Sequence, residues 1–174
     1  MIFSHIMNNR LYSRAEDNKI DEAQSGFRRG YSAIDNIFCL QAITQKYLSR
    51  NDGRFYCLYM YIDFSKAFDK INHDTLFKSL QSKGVNGKFI RTLVNMYKNL
   101  QSCVKTSSGT ATDYFPCNIG TRQGDISSPT IFSLFIDQLS TLLREKCGSG
   151  IFIDNYIPYI LCLMFADDIA VQKL

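Results

Sequence analysis

The sequence predicts an α+β fold in which a few apolar strands pack against amphipathic helices. Two runs, Phe55–Phe64 and Ile157–Phe165, are apolar at nearly every position, which is typical of buried strands. Segments 33–48 and 131–143 instead repeat their apolar residues at helical spacing. We therefore expect at least two neighbouring strands, the first of them central in its sheet, with helices packed on them.

The composition indicates a globular chain in a reducing compartment. Of 174 residues, 45% are apolar and 21% are charged, which suits one domain or two lobes sharing a core. The net charge of +4 permits a polyanionic partner without requiring one. Six cysteines form no C-x-x-C pair, so free thiols are favoured over zinc or disulfides. Without a signal-peptide or transmembrane pattern, we expect an intracellular protein of cytoplasm and nucleus, with no membrane partner.

Three acidic residues stand near the ends of the two apolar runs. Asp63 lies at the end of the first run, and Asp167 and Asp168 follow the second. Two strands lying side by side would bring these carboxylates together, and a bound cation would offset their repulsion. Carboxylate oxygens suit the hard cation Mg²⁺. Taken alone, the adjacent pair is more typical of a solvated turn than of a metal site.

A basic loop precedes the first long helix. Segment Ser25–Ser32 contains Arg28 and Arg29 between two glycines, together with two aromatic residues. Such a loop can hold a phosphate backbone and stack a base. The same loop is equally compatible with a solvated connection in which Ser32 caps the helix that follows. The residues of this loop leave both interpretations open.

A second glycine-containing loop, Gly120–Pro129, precedes a predicted helix that continues to Cys147. Its glycines allow a close backbone approach to a ligand. Ser128 and the proline after it mark the start of the helix, so Gln123 stands just ahead of a helix N-terminus. The alternative is a tight loop with a structural role only.

Four segments, in their order along the chain, resemble one known family. The last three are similar to motifs A, B and C of the reverse transcriptases of non-LTR (LINE-type) retrotransposons, and the first is similar to the fingers motif of that family. They are Gln24–Ser32, Tyr61–Asp69, Gly120–Pro129 and Phe165–Asp168. The resemblance implies the fingers and palm of a right-hand polymerase, with an antiparallel palm sheet backed by helices. It places a partial fingers lobe at residues 1–55 and the palm at 56–174.

The resemblance also implies a reaction and its metal ions. An RNA-directed DNA polymerase adds dNTPs to the 3′-hydroxyl of a DNA primer on an RNA template. Two Mg²⁺ ions, for which Mn²⁺ can substitute, activate this hydroxyl and bridge the triphosphate. By the match to motifs A and C, Asp63, Asp167 and Asp168 are the catalytic, metal-binding residues.

Further roles follow from the same match, residue by residue. Phe68 falls on the steric gate, where an aromatic ring leaves no room for a ribose 2′-hydroxyl. Arg28 and Arg29 are expected to contact the template backbone. The remaining matched positions line the nucleotide pocket or bind the triphosphate through backbone N–H groups: Phe64, Ser65, Lys66, Ala67, Gln123 and Gly124.

The family pattern extends beyond the matched segments. It includes an upstream arginine for the triphosphate and a downstream thumb, which the 174 residues do not supply. We therefore expect the chain to work with the endonuclease and thumb regions of a longer polyprotein, and to have little or no activity by itself. The alternative is a catalytically dead remnant that keeps the fold and binds nucleic acid.

Overall fold

The computed structural model describes residues 2–17, 20–50, 57–107, 109–157 and 159–173. It confirms the predicted α+β class. The helices are α1 Ile2–Asp17, α2 Ala33–Arg50, α3 His73–Ser82, α4 Gly87–Tyr97, α5 Ser128–Ile136 and α6 Gln138–Cys147. The strands are β1 Leu58–Ile62, β2 Gln101–Ser102, β3 Phe115–Pro116, β4 Ile151–Phe152, β5 Tyr159–Ile160, β6 Cys162–Phe165 and β7 Asp168–Lys173. None of the described helices is both long and apolar enough to cross a membrane.

The main sheet has three antiparallel strands in the order β1-β7-β6. The prediction that the first long strand is central was wrong, because β1 pairs with β7 alone in the described part of the chain and β7 takes the centre. Leu58, Met60 and Tyr61 of β1 are accordingly exposed. The predicted start of this strand at Phe55, and the boundary between residues 55 and 56, lie outside the described residues.

The core lies between this sheet and the helices behind it. Helix α5 packs against both α1 and α3, and Phe132 and Ile131 of α5 are almost fully buried. Met164 and Ile169 complete this contact from the sheet side. Burial of side chains of this size contributes about 1.5–3 kcal/mol each. Helix α5 is therefore the scaffold on which the sheet and the loop before the helix are fixed.

One long helix was predicted from Ser128 to Cys147, but the structure divides it at Asp137 into α5 and α6. The Asp137 carboxylate is 3% exposed and forms an ion pair with Lys83. It also accepts a hydrogen bond from the Asp21 N–H at 2.7 Å. The carboxylate of Asp21 in turn pairs with Arg144 of α6, with Oδ1 and Nη2 2.8 Å apart. The segment that follows α1 is thus fixed onto α6.

The Asp21–Arg144 pair predicts an acid-sensitive contribution to stability. Burial alone would raise the pKa of the Asp21 carboxyl, but hydrogen bonds from Arg144 and from the Ala23 N–H outweigh burial and hold this pKa at about 2, below the ordinary 3.8. Since the folded state favours the ionised form, its stabilisation is complete above about pH 5 and is lost progressively as the pH falls through 2. With allowance for solvent screening, we expect the ionised Asp21 carboxylate to contribute about 1–2 kcal/mol to the free energy of unfolding at neutral pH.

Urea unfolding of Asp21→Asn and the parent chain between pH 2 and 7 measures this contribution. The variant should be less stable at pH 7, and the difference in free energy of unfolding should shrink to a small fraction of its neutral value at pH 2. Asp113→Asn, which removes an exposed acid, is the matched control and should follow the parent profile. A difference for Asp21→Asn that stays constant down to pH 2 would contradict the assignment.

Candidate active site

A cleft of about 720 Å³ opens between the tip of the main sheet and the loop that precedes α5. This size is typical of small-molecule sites. Its lining comes from all four segments singled out in the sequence. The lining residues are Phe27, Lys66, Ala67, Phe68, Asp69, Thr121, Arg122, Gln123, Gly124, Asp125, Ile126, Ser128, Pro129 and Asp167.

The chain that leaves β1 forms one wall of the cleft. After Ile62 it turns, with Ala67 N–H donating to Phe64 O at 3.1 Å, and enters a short 3₁₀ helix at Ala67–Asp69. Lys66 adopts the left-handed conformation, with φ 56° and ψ 47°, ahead of this turn. Within the described residues, the N–H groups of Phe64, Ser65 and Lys66 have no protein acceptor. Three of the four backbone donors expected to bind a triphosphate are therefore available, whereas that of Ala67 is used in the turn.

Backbone hydrogen bonds join the wall after β1 to the loop before α5. Thr121 N–H donates to Phe68 O, and Gly120 N–H donates to Ile71 O, both at 2.7 Å. Gly120 has φ +84°, and a Cβ there would lie 2.8 Å from Asp69 O, so a side chain would strain this contact. The close approach at Gly120 is thus to the protein's own backbone. Of the two glycines expected to approach a ligand, Gly124 is the one that lines the cleft.

Side chains hold the same two segments together. The Gln123 amide Nε2 donates to Asp69 Oδ1 at 2.7 Å, which orients the amide at the cleft. Within the loop, Asp125 accepts hydrogen bonds from Ser127 N–H at 2.9 Å and Ser127 Oγ at 2.7 Å, and pairs with Arg122 at 3.4 Å. Burial raises the pKa of the Asp125 carboxyl, but these partners outweigh burial and lower it. Asp125 therefore orders the loop as an ionised residue.

The ring of Phe68 forms part of the cleft and is fixed by two other rings. It stacks on the buried Phe132 with centroids 4.1 Å apart and an interplanar angle of 21°. Phe27 meets it edge-on at 6.0 Å and 84°. Phe27 has φ 60°, an unusual conformation for an aromatic residue, and its ring lines the cleft. The predicted gate position thus has little freedom to move away from a ligand.

The strand register brings two of the three predicted metal ligands to one edge of the sheet. The last β1–β7 pair is Ile62 with Ile169, so Asp63 and Asp168 follow at the same end of neighbouring strands. Both line a second cleft of about 300 Å³, whereas Asp167 faces the larger one. In the described part of the chain, no three acidic, histidine or cysteine side chains are arranged as a metal site. The carboxylates suit a hard cation in chemistry, and they stand at two adjoining clefts rather than in one group.

The two predicted template contacts have different surroundings. Arg28 is 8% exposed, pairs with Glu16 at 3.3 Å, and donates to Gln24 O at 3.2 Å. These internal contacts favour a structural role for Arg28. Arg29 is exposed, with its guanidinium 4.9 Å from the ring centroid of Tyr12, and it remains free to contact a polyanion.

Sequence reasoning gave no specific role to three residues that shape the site, namely Gln24, Asp69 and Phe27, the last noted only as one of two aromatic residues in its loop. All three stand within segments that had been singled out, and Phe27 and Asp69 adjoin residues with assigned roles. Gly26, two residues after Gln24, gave the available signal, because a glycine can mark a close approach of another backbone segment. The partner of each residue is distant in sequence, and no local pattern reveals it.

A three-stranded antiparallel sheet with acids at its tip, closed by helices and a glycine loop, defines the palm of a nucleic-acid polymerase. A family model described as "Reverse transcriptase (RNA-dependent DNA polymerase)" matches residues 2–172. The chain therefore belongs to the reverse transcriptase family, and the resemblance to non-LTR retrotransposon enzymes is confirmed by the relatives that follow. Members of this family use divalent metal ions.

Its relatives include proteins of several transposable elements. A Pol polyprotein of the R2 element of Popillia japonica is 27% identical over 82% of this chain and 20% of the relative. The "Transposon TX1 uncharacterized 149 kDa protein" of Xenopus laevis is 28% identical over 80% of this chain and 10% of the relative. A "Probable RNA-directed DNA polymerase from transposon BS" of Drosophila melanogaster is 24% identical over 97% of this chain and 17% of the relative. The chain thus spans a fifth or less of the length of these relatives.

Solved structures confirm the fold. The telomerase of Candida albicans, determined with a fragment of telomeric RNA, superposes with a TM-score of 0.66 at 12% identity. The alignment covers 98% of this chain and 30% of the telomerase chain. The apo telomerase of Candida tropicalis, truncated from its C-terminal domain, gives a TM-score of 0.63 at 14% identity. This alignment covers 97% of this chain and 33% of the telomerase chain. The fingers–palm architecture predicted from the sequence is therefore confirmed.

Proposed function

We propose that this chain supplies the nucleotide- and metal-binding part of an RNA-directed DNA polymerase encoded by a retrotransposon. The single observation that carries the proposal is the 720 Å³ cleft, which unites Lys66, Phe68, Gln123 and Asp167 from three separate segments. In this assignment residues 1–55 belong to the fingers and residues 56–174 to the palm.

The proposed metal ligands are Asp63, Asp167 and Asp168. Two Mg²⁺ ions, or Mn²⁺ in their place, would supply Lewis-acid activation of the primer 3′-hydroxyl and neutralise charge on the leaving pyrophosphate. The protein's part is to hold three carboxylates at the ends of β1 and β7 and in the turn before β7. Because these carboxylates stand at two adjoining clefts, we propose that ion binding draws them together.

The other residues of the large cleft orient the nucleotide. The N–H groups of Phe64, Ser65 and Lys66 would bind the triphosphate, and the Lys66 ammonium adds positive charge. Gln123, held by Asp69, and Gly124 would contact the base and sugar. The Phe68 ring would lie against the sugar and exclude a 2′-hydroxyl, which selects dNTPs over ribonucleotides.

Template and primer are assigned to the surface around the cleft. Arg29 is the proposed template contact, since its guanidinium is exposed beside Tyr12. The RNA template, the DNA primer and the further regions of a longer polyprotein are the proposed partners. A nucleic-acid-binding chain without catalysis is the second candidate, favoured by the separation of Asp167 from Asp63 and Asp168.

Two measurements test the proposal and separate it from the second candidate. The first is titration with a fluorescent dNTP analogue in the presence and absence of Mg²⁺, where we expect Mg²⁺-dependent binding. The second is primer extension on an RNA template, where we expect slow synthesis by the 174-residue chain. Binding of RNA without Mg²⁺-dependent dNTP binding would support the second candidate. Robust extension would contradict the expectation that the chain by itself is nearly inactive.

A further inference from the structure

The turn between β6 and β7, which carries Asp167 and Asp168, has an unfavourable backbone conformation. Its first residue, Ala166, adopts φ 58°, in the left-handed region that residues other than glycine rarely enter. Ala166 is also buried. A turn of this kind persists only where the surrounding structure fixes it.

The side chain of Gln24 bonds to both backbone groups of Ala166. Its Oε1 accepts a hydrogen bond from Ala166 N–H at 3.0 Å, and its Nε2 donates to Ala166 O at 3.1 Å. The same Oε1 accepts from Gly26 N–H at 2.8 Å. Gln24 is 0% exposed, so water cannot replace these bonds. A primary amide is the neutral group that offers an acceptor and a donor at this spacing.

The neighbours of Gln24 bring the amide to the turn. Segment 23–25 pairs with β6 from the side opposite β7, with Met164 N–H donating to Ala23 O at 2.7 Å and Ser25 N–H donating to Met164 O at 2.9 Å. A Cβ on Gly26 would lie 2.1 Å from Ala166 N. The absence of a side chain at Gly26 therefore allows the contact.

A comparison within the same sheet shows that burial of a glutamine does not produce such contacts by itself. Gln172 on β7 is also 0% exposed, but its Nε2 makes one bond, to Ile160 O at 3.4 Å. Its Oε1 has no donor among the described residues. Gln172 lies near the far end of β7 from the acidic turn.

We infer that Gln24 is a positioning residue, whose amide holds the Ala166 turn so that Asp167 and Asp168 are presented for metal binding. This inference rests on the proposed function in assigning metal to the two aspartates. Gln24 itself is 0% exposed and lines neither of the two clefts. It acts through the backbone of the residue that precedes the acidic pair.

The test compares Gln24→Met with Gln172→Met, the same change at an equally buried glutamine of the sheet. The first readout is hydrogen exchange of the Ala166 amide by NMR. We expect its protection to fall about tenfold or more in Gln24→Met, as for loss of one hydrogen bond, and to stay at the parent value in Gln172→Met. Gln24→Glu is nearly isosteric, and its ionised form loses the donor to Ala166 O while keeping the acceptor for Ala166 N–H. Ala166 protection in this variant should therefore be lower at neutral pH than at acidic pH, where the carboxyl is protonated, and the variant serves if Gln24→Met fails to fold.

The second readout is the Mn²⁺ concentration at half-saturation, measured by electron paramagnetic resonance of the free ion. We expect about a tenfold increase for Gln24→Met and no change for Gln172→Met, as is usual when a residue supporting a metal ligand is lost. Equal protection of the Ala166 amide in the two Met variants would show that the Gln24 side chain does not hold the turn. Weakened protection with parent-like Mn²⁺ affinity would overturn the positioning role. A parent chain that neither binds Mn²⁺ nor extends a primer would instead count against the proposed function, while the exchange data would still decide whether Gln24 holds the turn.

Discussion

Asp167→Asn is expected to reduce nucleotide incorporation at least ~10³-fold, equivalent to roughly 4 kcal/mol of transition-state stabilisation. Asp167 is the predicted metal ligand that faces the large cleft, at the turn beside the tip of the sheet. An amide keeps the size of the side chain but loses the charge that binds a divalent cation. Single-turnover primer extension with Mg²⁺ or Mn²⁺ measures the loss.

The controls separate loss of metal binding from loss of structure. Asp113→Asn removes one exposed acid away from the cleft and should keep parent activity. Asp63→Asn should match Asp167→Asn in rate, because both carboxylates are proposed to hold the ions. If Asp167→Asn kept more than about a tenth of the parent rate, the assignment of this residue to the metal would be wrong.

Phe68→Val is expected to lower discrimination against ribonucleotides by about 100-fold, equivalent to roughly 2.7 kcal/mol. The shorter side chain would leave space for a 2′-hydroxyl where the ring now stands. Because Phe68 stacks on Phe132 at 4.1 Å and meets Phe27 at 6.0 Å, the parent ring cannot move away to make room for the 2′-hydroxyl. The measurement is the ratio of kcat/KM for a dNTP and the matching ribonucleotide, or of their affinities where turnover is slow.

Loss of ring packing also destabilises the chain, so a matched variant is needed. Phe77→Val removes another half-buried ring, which meets Tyr97 at 5.6 Å away from the cleft. It should cost similar stability and leave the selectivity at the parent value. Equal selectivity in Phe68→Val and the parent would show that another group excludes the 2′-hydroxyl.

The sequence predicted secondary structure well where the signal is local. Helical spacing placed α2 within two residues of its observed end at Arg50. It did not reveal the division at Asp137, whose carboxylate binds the distant Lys83 and Asp21. The edge position of β1 was missed for a related reason. An apolar run shows that a strand can be buried, but strand order depends on which segment returns beside it.

The sequence by itself determined the family, the strand ends with their acids and the aromatic residue proposed as gate, because each depends on residue type at a fixed local spacing. Only the tertiary structure decided which groups meet. It placed Asp167 at the large cleft and Asp63 beside Asp168, turned Arg28 inward, and set Gln24 against Ala166. The physical reason is that strand register and hydrogen bonds between residues more than a hundred positions apart form only when the whole core packs. No short segment contains that information.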